Sequence, residues 1–203
     1  MRPGPSGQTR RRPGLRPAFL RGVGLGCLLF VLSLTAWARP AQIIILRHAE
    51  KPANDDEVHL SERGRERARA LAPWISTNAV FQRHGPPVAL FAARAISRNH
   101  SRRPAETLSP LSSQLHLPIL TPFAAKEHAA LAAEIMKNPA YDGRTVVICW
   151  VHDYLPELAQ DFGAKARKWD NEIYDRVWLI TFDKGKAALK NLPQRLLPGD
   201  ATR

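Results

Sequence analysis

Two histidines close apolar runs in this 203-residue chain, and each arrives with a charged neighbour. Ile43-Ile44-Ile45-Leu46 runs into Arg47-His48, and Thr145-Val146-Val147-Ile148-Cys149-Trp150-Val151 runs into His152-Asp153. Between them lies an arginine-rich stretch with Arg94, Arg98, Arg102 and Arg103, the last followed by Pro104. Phosphoryl transfer to a histidine needs an imidazole nitrogen attacking in line and cations on the equatorial oxygens. It also needs an acid that protonates the leaving oxygen. In that scheme His48 is the nucleophile, Arg47 and Arg103 clamp the oxygens with guanidinium forks, and His152 supplies a further donor. Pro104, at the first position of a helix, aims free backbone N–H groups and the helix dipole at the same place. Arginines crowding His48 should lower its pKa and keep it neutral near pH 7. Arg98, with Arg94 and His100, either extends the substrate site or belongs to an exposed basic loop. Glu50 and Lys51 either tune the nucleophile or stand in solvent.

Elements that could position these residues follow from the pattern. Short β-branched runs bounded by polar punctuation read as strands buried on both faces. Open α/β sheets gather their chemistry past the C-terminal ends of such strands. Strands are expected at Gln42–Leu46, Val88–Phe91, up to Val151, and at Arg176–Phe182. Helical spacing predicts Ser61–Ile75, with Ser61 as N-cap and Ala68, Leu71, Ala72 and Ile75 inward. Further helices are expected at Pro104–Leu115, Ala124–Lys137 and about 156–162. This alternation predicts a three-layer α/β/α sandwich with a mostly parallel central sheet.

Four segments, in order, resemble the histidine phosphatase superfamily, the phosphoglycerate mutase-like family. They are Arg47-His48-Ala49-Glu50, Leu60-Ser61-Glu62-Arg63-Gly64, Arg103-Pro104-Ala105-Glu106-Thr107, and His152 at the end of its strand. The resemblance spans roughly residues 41–182. It implies the phosphoglycerate mutase-like fold and a phosphohistidine intermediate on His48. One branch of the family takes its proton donor from a glutamate between the second arginine and the second histidine, where Glu127 stands. The other takes an aspartate directly after the second histidine, as in His152-Asp153. Both are carried as candidates, and Asp153 could equally be a helix cap.

Residues 1–38 read as a signal peptide, with six arginines and no acid before an uncharged stretch from Gly22 to Ala38 that ends in Ala36-Trp37-Ala38. The rival reading is an uncleaved anchor over 22–38, because seventeen uncharged residues can just span a bilayer. The expectation is an exported protein, periplasmic or extracellular, with membrane contact only through that segment if it is retained. The phosphatase domain is expected at 39–190 and a loose tail at 191–203.

Formal net charge is +12. Without the six leading arginines it is 12 − 6 = +6, so half the excess belongs to a targeting segment and nucleic acid is not the expected partner. A phosphate pocket accounts for the clustered arginines, and no metal or cofactor is expected. Cys149 and His152 have C-x-x-H spacing but lack the further ligands of a zinc site. The expected activity is hydrolysis of a small phosphate monoester. Alternatives are a phosphohistidine protein phosphatase, a phosphomutase, or a non-catalytic module binding an anionic envelope ligand.

Overall fold

Ile43, Ile44 and Ile45 expose none of their surface, which requires a cover on both faces of the strand that carries them. Burying each such side chain contributes about 1.5–3 kcal/mol. The computed structural model describes Met1, Gly4 and residues 39–54, 56–97 and 100–202. The chain divides into two units, Met1–Thr35 and Ala36–Arg203, and the described fold is that of the second. The signal-peptide or anchor segment and Arg98 lie outside the described residues. Among the described residues no helix is long and apolar enough to cross a membrane.

In chain order the elements are β1 (Gln42–Arg47), α1 (Glu62–Thr77), β2 (Pro87–Ala92), α2 (Arg103–Leu115), β3 (Ile119–Leu120), α3 (His128–Lys137), β4 (Thr145–Trp150), α4 (Leu155–Asp161), β5 (Arg176–Asp183) and β6 (Lys186–Pro193). The sheet order is β3-β2-β4-β1-β5-β6. The first four strands run parallel, while β5 joins β1, and β6 joins β5, antiparallel. Alternation along the strands divides the core. Ile44, Leu46, Val147 and Cys149 pack with Leu71 and Ile75 of α1 and Leu108 and Leu111 of α2. Ile43, Ile45, Val146, Ile148 and Trp150 pack with Leu131 and Ile135 of α3 and Leu155 and Leu158 of α4. The result is the expected three-layer sandwich.

Two expectations need correction. The helix expected over Ala124–Lys137 is broken, with a one-turn helix at Ala125–Glu127 before α3. The tail is not loose either. Residues up to Pro193 form β6, a strand hidden from pattern reading because it buries none of its side chains fully and leaves half of them exposed. It pairs with β5 through Lys184 and Gly185, both at positive φ (45° and 89°), as in a two-residue hairpin turn.

Candidate active site

β1 and β4 pair in register, Arg47 opposite Trp150, so their ends reach the same edge of the sheet together. The backbone N–H of His48 donates to the Trp150 carbonyl at 3.1 Å, carrying the pairing one residue beyond the strand. His48 is 4% exposed. Its Nδ1 lies 2.7 Å from the Ala49 carbonyl. A carbonyl only accepts, so the neutral ring carries its proton on Nδ1 and leaves Nε2 with a free lone pair. Burial, foremost, pushes the His48 pKa down to about 3, with the charges of Arg47, Arg103 and His152 acting the same way. The neutrality expected of the nucleophile is therefore present, but desolvation rather than the arginines is its main cause.

The loop after His48 is held by the two motif helices. The Ala49 N–H donates to Thr107 Oγ1 at 2.9 Å, and that hydroxyl donates to the Arg103 carbonyl at 2.7 Å. Glu106, beside it in α2, accepts the Leu60 N–H at 2.9 Å and pairs with His59. Ser61 caps α1 by accepting the Gly64 N–H at 3.0 Å, and its own N–H donates to the Glu50 carbonyl at 3.0 Å. A Cβ on Gly64 would stand 2.4 Å from that carbonyl oxygen, which is backbone and cannot swing aside. Glycine is needed so that α1 can lie against the chain two residues past His48. Gly64→Ala is expected to destabilise the fold by about 1–3 kcal/mol, read as a lowered midpoint in thermal denaturation. An unchanged midpoint would remove this account of the glycine.

Arg47 is 2% exposed, with its guanidinium 3.8 Å from the Tyr174 ring centroid. Its Nη1 donates to the carbonyls of Asp170, Asn171 and Ile173 at 3.3, 2.5 and 3.1 Å. Half of the fork thus orders the 170–174 loop, while Nε is buried with no partner among the described residues. Arg103 opens α2 at its first helical position, with Pro104 second rather than first as expected. Its Nη2 donates to the Glu57 carbonyl at 2.6 Å, and its Nε is likewise buried and unpartnered. His152 begins a one-turn helix after β4, with Nε2 3.2 Å from Asp153 Oδ1 and a buried, unpartnered Nδ1. Burial, with Arg47, holds the His152 pKa below its ordinary value against the pull of Asp153.

The two acid candidates are placed differently. Asp153 touches His152 and keeps 69% of its side chain exposed. Glu127 accepts the Ala124 N–H at 2.6 Å and pairs with Arg94 at 3.2 Å. The Ala124 N–H first, then Arg94, hold its carboxyl below the usual range, a poor setting for a proton donor. Arg94 is committed to that pair, and His100 meets Ser97 at 2.6 Å. Cys149 is a buried free thiol, raised in pKa by burial.

Sequence reasoning missed Tyr174 and Asn171, whose ring and carbonyl meet the Arg47 guanidinium. Neither belongs to a motif, and only the pairing of β5 with β1 brings their loop to the site.

No protein-family model matches the chain, and no curated protein matches it. Solved structures do. A phosphoglycerate mutase from Bacillus anthracis str. Sterne superposes with a TM-score of 0.50 at 10% identity, covering 77% of this chain and 94% of that one. A structure described as the phosphohistidine phosphatase SixA from Agrobacterium tumefaciens gives 0.47 at 14%, covering 75% and 98%. A mycobacterial glucosyl-3-phosphoglycerate phosphatase with inorganic phosphate gives 0.46 at 13%, covering 75% and 95%. At such identities the likeness is one of fold.

Proposed function

We propose that this chain, which has the phosphoglycerate mutase-like fold, is a histidine phosphatase that hydrolyses phosphate monoesters through a phosphohistidine on His48. One observation carries the reading. Three buried nitrogens without partners among the described residues (Arg47 Nε, Arg103 Nε and His152 Nδ1) belong to the three groups whose charges act on His48. Buried donors are nearly always satisfied. The two guanidinium N–H groups left over beside a neutral imidazole suit an oxyanion such as a phosphoryl group.

The reaction follows from these atoms. His48 Nε2 attacks phosphorus, a P–N bond forms, and the ester P–O bond breaks in line. The leaving oxygen takes a proton from Asp153. Water then attacks the phosphohistidine, giving its proton back to Asp153 and the lone pair of the P–N bond back to Nε2, and inorganic phosphate leaves. Arg47, Arg103 and His152 stabilise the equatorial oxygens as charge spreads over them. Export is part of the proposal, supported by the basic and apolar composition of residues 1–38.

The test is to mix the full chain with a phosphorus-labelled aryl phosphate and quench it. A burst of aryl alcohol should match label on the protein that survives alkali and is lost in acid, as a phosphoramidate is. Because guanidinium groups neutralise the charge, turnover should persist in EDTA. Loss on chelation with recovery on adding a divalent ion would contradict the metal-free scheme.

The donor has its own signature. A poor alkyl leaving group needs a proton as it departs, whereas an activated aryl group needs little help. Asp153→Asn should slow alkyl phosphate hydrolysis on the order of 10²-fold, with a much smaller loss on an aryl phosphate. Glu127→Gln should behave like the parent on both. The reverse pattern would transfer the role to Glu127.

A further inference from the structure

β6 runs parallel to β1 and ends at the edge where His48 sits, so residues after Pro193 emerge beside the site. There they bind back. Gln194, 2% exposed, donates through Nε2 to the carbonyls of Tyr174 at 3.2 Å and Arg176 at 2.8 Å. Its Oε1 accepts from Arg67 Nη1 at 3.0 Å. Its backbone N–H reaches the Asp175 carbonyl at 2.8 Å, and the Ala201 N–H reaches the Asp175 carboxylate at 2.5 Å. Asp200, its side chain 2% exposed, accepts from Arg67 Nη1 and Nη2 at 2.9 and 2.8 Å. Its Oδ2 also accepts the N–H groups of Leu196 and Leu197 at 2.9 and 3.1 Å. Arg67 in turn grips both carboxylate oxygens of Glu50, with Nε 3.0 Å from each and Nη2 at 2.7 Å.

The network is charged throughout. Burial works to lower the Arg67 pKa, but Asp200 and Glu50 outweigh it and hold the pKa raised. Burial likewise pushes the Asp200 carboxyl up, and Arg67 with two backbone N–H groups overcomes it, leaving the pKa at about 2. A buried ion network contributes little stability that well-packed apolar residues could not match. What it supplies is bidentate geometry, which fixes planes and distances.

We propose that the segment 194–201 is a clamp that positions the nucleophile from both flanks. Asp200, through Arg67 and Glu50, fixes the backbone bearing the Ala49 carbonyl to which His48 Nδ1–H is bonded. Gln194, through the Tyr174 carbonyl, fixes the ring on which Arg47 stacks. Arg47 and Glu50 stand one residue before and two after His48, so the imidazole is aimed by residues about 150 positions away in the chain. Asp200 and Gln194 are positioning residues, and their role rests on the reading of His48 as the nucleophile.

The experiment compares Asp200→Asn and Gln194→Met in the full chain, with Ile135→Val in the opposite layer as a control of ordinary destabilisation. A loss of alignment of under an ångström should cost Asp200→Asn about tenfold or more in kcat with KM within about twofold. Nitrogen-detected imidazole spectra should show His48 leaving the pure Nδ1–H tautomer. Gln194→Met, which keeps both carboxylates, should lose about threefold in kcat and shift the Tyr174 ring resonances. Ile135→Val should lower the melting midpoint while leaving kcat and the His48 spectrum at parent values. A lowered midpoint in Asp200→Asn with unchanged kcat and unchanged His48 tautomer would overturn the clamp and leave a purely structural latch. Should Asp200→Asn fail to fold, Gln194→Met decides by the same readouts. If the parent chain turns over no phosphate ester, the functional reading falls, and the imidazole spectrum still decides the positioning claim.

Discussion

Replacing His48 with alanine is expected to abolish turnover, with kcat falling on the order of 10⁴-fold or more, while the chain still folds. His48 is buried and offers the one imidazole nitrogen freed by a tautomer-fixing carbonyl, so no neighbour can take over the attack. Labelled aryl phosphate should leave nothing on the protein. Retention of a tenth of parent activity would remove His48 from the mechanism. The variant carries a second signature. Because the folded His48 pKa lies near 3 against an ordinary 6.5, the unfolded chain binds a proton that the folded chain refuses between those values. Stability from this group is therefore present above about pH 6.5 and lost as pH falls toward 3. His48→Ala should lack that part of the acid sensitivity. Denaturant titrations of both proteins at pH 7 and pH 4 measure it, and equal pH dependence would contradict the buried neutral imidazole.

Arg103→Ala carries the next largest expected effect, a loss on the order of 10³-fold in kcat/KM, shared between kcat and KM. A clamp on equatorial oxygens acts on bound substrate and more strongly on the transition state, so both constants move. Inorganic phosphate should also inhibit the variant more weakly than the parent. Arg103→Lys should recover only part of the loss. An ammonium carries all its N–H groups on one nitrogen and cannot span the two points that Arg103 meets with Nη2 and Nε. Unchanged kcat and KM in Arg103→Ala would mean that Arg102, exposed at the cap of α2, had been passed over wrongly.

The glycine at position 64 and the threonine at position 107 show how sequence and structure divide the explanation. Both stood in motifs quoted as bare patterns. Gly64 is needed because a Cβ would meet the Glu50 backbone, and Thr107 because its hydroxyl joins the Ala49 N–H to the Arg103 carbonyl. The motifs thus record contacts among themselves. The strands and the motif helices were legible from periodicity, while the choice of Arg47, His48, Arg103 and His152 also drew on the motifs of the family the chain resembles.

Other features depend on contacts between residues distant in sequence. Asp153 and Glu127 were both candidates in the sequence, Asp153 favoured only by its place next to His152. Only the turn after β4 set one against His152, while an N–H and Arg94 engaged the other. Arg67 figured in no reading of the sequence, yet it is buried because Asp200 and Glu50 both pair with it. By itself the sequence determined the periodic elements and the reactive residues at their ends, since both are local properties of side-chain type and spacing. The tertiary structure alone decided which charges are buried, which acid meets the second histidine, and that residues 194–201 bind back onto Arg67 and the 174–176 segment. The last of these depends on antiparallel pairing through a polar edge strand, whose energy comes from a partner about ten residues away rather than from its own composition.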